Sequence, residues 1–139
     1  MMRVTARPIL LIEDDQIDVM TVQRALKELH VANRLDIAEN GHQALQRLKT
    51  PDIERPCLIL LDLNMPIMNG IEFLRIAKND PGLKRIPVVV LTTSEEQRDK
   101  MESFDLGVAG YMRKPVDYRQ FVETIRSIDT YWTLSELPE

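Results

Sequence analysis

Four short, largely apolar runs in this chain each stop abruptly at a charged or hydroxyl residue. Ile9-Leu10-Leu11-Ile12 gives way to Glu13-Asp14-Asp15, and Leu58-Ile59-Leu60-Leu61 to Asp62. Val88-Val89-Val90-Leu91 stops at Thr92-Thr93-Ser94, and Gly110-Tyr111-Met112-Arg113 at Lys114-Pro115. Short Ile, Leu and Val runs without polar alternation read as strands buried on both faces. Leu35-Asp36-Ile37-Ala38 reads as a further strand. Between the strands lie segments with helical spacing. Ile17, Met20, Ala25 and Leu29 recur over about Gln16 to His30, and Ala44, Leu45 and Leu48 over Gly41 to Lys49. Ile71, Phe73, Leu74 and Ala77 follow the turn composition Pro66-Ile67-Met68-Asn69-Gly70, and Asn79-Asp80-Pro81-Gly82 ends that helix. A fourth helix begins after Thr93, where Ser94-Glu95-Glu96-Gln97 has the form of a capping box. A fifth follows Pro115 and carries Phe121, Val122, Ile125, Ile128 and Trp132 on one broad face. Such alternation predicts an α/β fold, a five-stranded doubly wound parallel sheet with five helices, because right-handed crossovers cover both faces.

Composition narrows the function classes. The 139 residues form one domain, long enough to bury a core without disulfides or metals. No apolar stretch approaches the roughly 18 residues of a membrane span, and Met1 to Pro8 lacks the hydrophobic segment of a secretion signal. A cytoplasmic protein is expected. With 22 acidic and 18 basic residues and no Lys/Arg block, nucleic-acid binding is not expected. Cys57, the single cysteine, reads as a small buried hydrophobe. His30 and His42 fall in predicted helices without partners at metal spacing, which argues against zinc.

The ends of the strands carry the chemistry. An acidic pair, a lone Asp, a hydroxyl and an ammonium arrive in chain order at carboxyl ends, where open α/β folds place their sites. This quartet resembles the receiver domain of bacterial two-component response regulators, over about residues 8 to 130. The resemblance implies a flavodoxin-like strand order of 2-1-3-4-5, with the switch point beside Glu13, Asp14 and Asp62. Only Tyr131 to Glu139 follows the fifth helix, so the expectation is a single receiver domain over 1–139, with no output domain.

Three carboxylates at one rim repel each other unless a cation sits among them. Hard oxygen ligands suit Mg²⁺ (or Mn²⁺). Asp14 and Asp62 read as ligands, and Glu13 as acting partly through water. The resemblance adds the backbone carbonyl of Asn64. Asp15 reads as the cap of the first helix. Asp62 is then the nucleophile, taking a phosphoryl group as an acyl phosphate. Phosphoryl transfer asks for in-line positioning and charge neutralisation, and Lys114 supplies a cation. The resemblance implies a cis Lys114–Pro115 bond, a phosphoryl-binding hydroxyl at Thr92 and an aromatic switch at Tyr111. Thr93 stands at the neighbouring position that the family fills with a small residue.

The expected function is a phospho-accepting response regulator that takes its phosphoryl group from a histidine kinase and signals by protein–protein contact. It is not an enzyme beyond self-phosphorylation and autodephosphorylation. The alternative is a relay intermediate or phosphate sink serving a histidine phosphotransfer domain. Lys84 to Ser94 and the Trp132-containing tail resemble one branch, the freestanding regulators paired with bacterial phytochromes. That branch implies a light-sensing kinase and a homodimer. Tyr118, Phe121, Val122, Ile125, Ile128, Tyr131 and Trp132, with Leu134 and Leu137, exceed what one core stripe needs. Self-pairing through the fourth-helix, fifth-strand, fifth-helix face is therefore expected. Haloacid-dehalogenase-type phosphatases usually carry a second Asp two residues after the first, where this chain has Asn64. A flavodoxin-like electron carrier needs a phosphate-holding loop that Glu13-Asp14-Asp15 would repel.

Overall fold

The computed structural model describes residues 7–114 and 117–134, the stretch 128–134 as helix backbone alone. Ten elements alternate: β1 (Ile9–Ile12), α1 (Gln16–Glu28), β2 (Leu35–Ala38), α2 (Gly41–Leu48), β3 (Leu58–Leu61), α3 (Gly70–Asn79), β4 (Val88–Thr92), α4 (Gln97–Asp105), β5 (Gly110–Arg113) and α5 (Tyr118–Leu134). The strands form one parallel sheet in the order β2-β1-β3-β4-β5. The expected architecture and strand order are both present.

Side chains of successive strand residues point to opposite faces, and this chain buries both. Leu10, Ile12, Ile59, Leu61, Val88 and Val90 enter a core shared with α2 and α3. Ile9, Leu11, Leu58, Leu60, Val89 and Leu91 enter a second core with Val19, Val22 and Ala25 of α1 and Phe121, Val122 and Ile125 of α5. Each such Leu or Ile stabilises the fold by about 1.5–3 kcal/mol. Cys57 is a free, buried thiol in the second core, and burial pushes its pKa up. Among the described residues no helix is long and apolar enough to cross a membrane.

Four local expectations fail, one of them the end of the fifth helix, which runs on to Leu134 instead of stopping before Tyr131. The core stripe of α1 is Val19, Val22, Ala25 and Leu26, while Ile17 and Met20 are 75% and 63% exposed. Several apolar sets share helical spacing in this segment, and contact with the sheet selects the one starting at Val19. α1 also stops at Glu28, and His30 lies beyond it in the left-handed region (φ 58°). Ser94 does not cap α4. Its N–H donates to Thr92 Oγ1 (3.2 Å) and its hydroxyl to Asp99 Oδ2 (2.7 Å), which defers the helix to Gln97 behind an N-cap, Glu96, with no side-chain bond. The capping box belongs instead to α3, where Asn69 and Glu72 satisfy each other's backbone N–H. The Lys114–Pro115 bond lies outside the described residues, as do the side chains of Ile128, Tyr131, Trp132, Leu134 and Leu137.

Candidate functional site

Strand register brings the acids together. Ile12 pairs with Leu61 across β1 and β3, so the next residues, Glu13 and Asp62, emerge side by side at the carboxyl rim. The Asp62 N–H still donates to Ile12 O (3.1 Å). Glu13 and Asp62 are 2% and 6% exposed, whereas Asp14 is open to solvent. One carboxylate oxygen from each of Glu13, Asp14 and Asp62 lies within 4.8 Å of the other two. No His or Cys belongs to that group.

The backbone behind Asp62 is tightly built. A Cβ on Gly70 would stand 2.6 Å from Asp62 O and 2.7 Å from Leu63 Cα, so only glycine lets α3 start this close to the end of β3. Gly70 N–H donates to Leu63 O (3.0 Å). Ile67 in the same loop has φ 67°, and the Met68 N–H donates to Pro66 O (2.7 Å), a γ-turn centred on a β-branched residue. That conformation is costly for Ile, and Ile67 is 81% exposed. The loop from Asp62 to Gly70 therefore holds backbone strain beside the carboxylates. Asn64 is exposed within it, directly beyond Leu63.

Lys114 enters from the end of β5, held by its N–H to Thr92 O (2.9 Å). Its ammonium bonds to Glu13 Oε1 and to Asp18 Oδ2, the latter at 2.9 Å. Asp18 escaped sequence reading, although its place one turn into α1, capped by Asp15 through the Ile17 and Asp18 N–H groups, was the available signal. Burial alone would lower the Lys114 pKa, but the bonds to Asp18 and Glu13 and the charge of Asp62 hold it above its ordinary value. Glu13 is pushed up to about 7, chiefly by burial and further by Asp62, with Lys114 opposing. The Asp62 Oδ1 atom is buried and has no hydrogen-bond partner.

Thr92 is fully buried, with its hydroxyl taking the Ser94 N–H. Tyr111 sits farther along the sheet, packed on the first core, its ring 6.4 Å from that of Phe104. Its hydroxyl is buried without a hydrogen bond of good geometry. Burial is the first cause raising its pKa, and the neighbouring Ser94 offsets part of that rise. A cavity of about 290 Å³ opens beside it, lined by Ser94, Gln97, Lys100 and Arg113 among others.

A buried acid with one orphaned oxygen thus stands between two further acids and a lysine at the carboxyl rim of a 2-1-3-4-5 sheet. The chain belongs to the response regulator receiver domain family, whose model matches residues 9–126. It is 39% identical over 128 residues to the response regulator Rcp1 of Synechocystis sp., covering 89% of this chain and 87% of that protein. The structure of the phosphorylated cyanobacterial phytochrome response regulator RcpA superposes with a TM-score of 0.89 at 37% identity, covering 95% of this chain and 98% of the other. The Mn²⁺-bound form of Rcp1 superposes at 0.87 with 38% identity, over 94% and 98% of the two chains. This protein is a phospho-accepting response regulator with a divalent-metal site. The phosphatase and electron-carrier readings fall with the family match, and the relay reading is not favoured.

Proposed function

We propose that Asp62 is the acceptor and that a phytochrome-type histidine kinase is the donor. The observation that carries the first part is the buried, partnerless Asp62 Oδ1 inside a cluster of three carboxylates. The Asp62 carboxylate attacks the phosphorus of a donor phosphohistidine. The new O–P bond forms as the N–P bond breaks, and the electron pair leaves on the imidazole nitrogen. Asp14 and Asp62, with the Asn64 carbonyl and Glu13 through water, would hold Mg²⁺ or Mn²⁺, which when bound neutralises charge on the transferring phosphoryl oxygens. Lys114, now held by Glu13 and Asp18, turns to the phosphoryl group as the second cation. The phytochrome assignment rests on the likeness to RcpA.

The signal follows from Thr92. A phosphoryl oxygen offers its hydroxyl a charged acceptor, and because that hydroxyl already binds the Ser94 N–H, its movement draws the β4–α4 loop inward. Of α4 only Ser103 is buried, while Met101 and Phe104 are 59% and 48% exposed. An element with so little burial shifts at low cost. Tyr111 turns in the space so altered, and the α4–β5–α5 face changes. That face pairs two copies of the chain. By linkage, a partner that prefers the altered face also favours phosphorylation.

Labelling with acetyl phosphate and Mg²⁺ tests the acceptor. Wild type gains one acid-stable, base-labile acyl phosphate and Asp62→Asn gains none. Labelling of Asp62→Asn at the wild-type level refutes the assignment. Lys114→Ala keeps the metal site but transmits poorly, read as a lost phosphorylation-dependent change in sedimentation. A monomer in every state at micromolar concentration refutes the pairing.

A further inference from the structure

The opposite rim of the sheet carries a second feature. The residues just before β1, β3 and β4 meet at the amino-terminal edge, where Cys57 N–H donates to Pro8 O (2.9 Å) and Ile59 N–H to Pro87 O (2.9 Å). Four-residue strands put this edge about 13 Å from the carboxylate rim. It forms an open groove of about 550 Å³, within the usual size range of small-ligand sites. Its charged lining residues are Arg7, Arg55, Lys84 and Arg85, and no acidic residue lines it.

The groove is built rather than incidental. Lys78 reaches beneath the loop, where its ammonium donates to Lys84 O (3.1 Å) and Ile86 O (3.2 Å). Burial lowers the Lys78 pKa, and the two carbonyls are its hydrogen-bond partners. Asp80, the acid of this loop, accepts the Gly82 N–H at Oδ1 (2.7 Å) and the Leu83 and Lys84 N–H groups at its carbonyl. On the other wall Glu54 pairs with Arg34, away from its neighbour Arg55. Among the described residues Arg55, Lys84 and Arg85 have no carboxylate within ion-pair distance. Asn33 fixes the third wall, donating to the Arg7 carbonyl (2.7 Å). Arg55, Lys84 and Arg85, gathered from two loops in a protein of net charge −4, repel one another unless an outside anion joins them.

We infer that this groove binds a small organic polyphosphate of nucleoside-diphosphate size. Guanidinium forks favour phosphate in bidentate geometry. Pro56, Ile86 and Pro87 supply an apolar floor for the organic part. The site is separate from phosphoryl acceptance at Asp62.

Calorimetric titration of the full chain in EDTA, which keeps divalent metal off the acidic rim, tests this with ADP, inorganic pyrophosphate, adenosine and a hexaglutamate peptide. ADP binds at one site, more tightly than pyrophosphate, and adenosine gives no measurable heat. Arg55→Ala and Arg85→Ala each weaken ADP binding about tenfold, the loss of one charge-assisted contact, while Asp62→Asn leaves it unchanged. Absence of saturable ADP binding overturns the inference, as does binding insensitive to both arginine changes. Equal affinity for ADP and pyrophosphate overturns the role of the apolar floor. Binding of hexaglutamate without ADP makes the groove a docking surface for an acidic peptide instead.

Discussion

The two ends of the sheet handle concentrated charge in opposite ways. At the carboxyl rim Glu13 and Asp62 are buried, and the fold supplies its own counter-charge through Lys114. At the amino rim Arg55, Lys84 and Arg85 are exposed, and the described structure supplies no such partner. The ends differ in tightness as well. Gly70 stands against backbone atoms that cannot move aside, whereas a Cβ on Gly82 would meet the Asp80 carboxylate at 3.2 Å and an Arg55 nitrogen at 3.9 Å, both flexible side-chain ends. Burial with fixed backbone is what lets the first rim hold an orphaned oxygen in place. The second rim trades that fixity for access.

The largest test of this contrast is steric. Gly70→Ala should cost about 1–3 kcal/mol of unfolding free energy, while Gly82→Ala stays within about 0.5 kcal/mol of wild type. Urea denaturation with the fluorescence of Trp132 and the far-ultraviolet signal reads both. Equal costs would erase the difference in tightness. Metal binding comes next. Asp14→Asn should weaken Mg²⁺ or Mn²⁺ about tenfold, or 1.4 kcal/mol, and Arg55→Ala should leave the affinity within about twofold. Equilibrium titration of both variants decides whether the rims are electrostatically separate.

A smaller effect concerns repulsion among the acids. In EDTA, Asp62→Asn should raise stability by about 1 kcal/mol, the scale of a relieved active-site conflict. A loss of stability would mean that Asp62 is better paired than its partnerless oxygen indicates. The last test is pH. Below 4.5 Glu13 is protonated in both states. Between 4.5 and about 7 the unfolded chain releases a proton that the folded chain keeps. Metal-free stability from this group therefore falls as pH rises through that window, by no more than about 1.4 kcal/mol per unit. Glu13→Gln should flatten the slope in thermal unfolding between pH 5 and 8. Metal affinity should rise over the same range, since the cation displaces that proton.

Much of this protein was legible in one dimension because strands buried on both faces announce themselves as unbroken aliphatic runs. The runs ending at Ile12, Leu61 and Leu91 located the rim, and Glu13, Asp14 and Asp62 do meet there, while β5, Gly110–Arg113, is neither aliphatic nor buried on both faces. Helix faces were less legible. Spacing alone did not separate Ile17 and Met20 from Val19 and Val22, because the sheet, not the helix, chooses which stripe is covered. The cap at Ser94 failed for a related reason: its hydroxyl had a better partner in Asp99, five residues on. Asp18 as a partner of Lys114 joins positions 96 residues apart; its place in the first turn of α1 put it near the rim, but which cation it meets there depends on the fold.

The basic groove shows the division most plainly. The chain holds no Lys/Arg block, only Arg7, Arg55 and the pair Lys84-Arg85 scattered ahead of three strands. Sequence by itself determined the alternation of elements and the chemistry delivered to the ends of the strands, since both are carried by contiguous residues. Only the tertiary structure decided which charges are paired, which are buried and which face each other across a groove. Those outcomes depend on strand order and register, which bring distant residues to one edge.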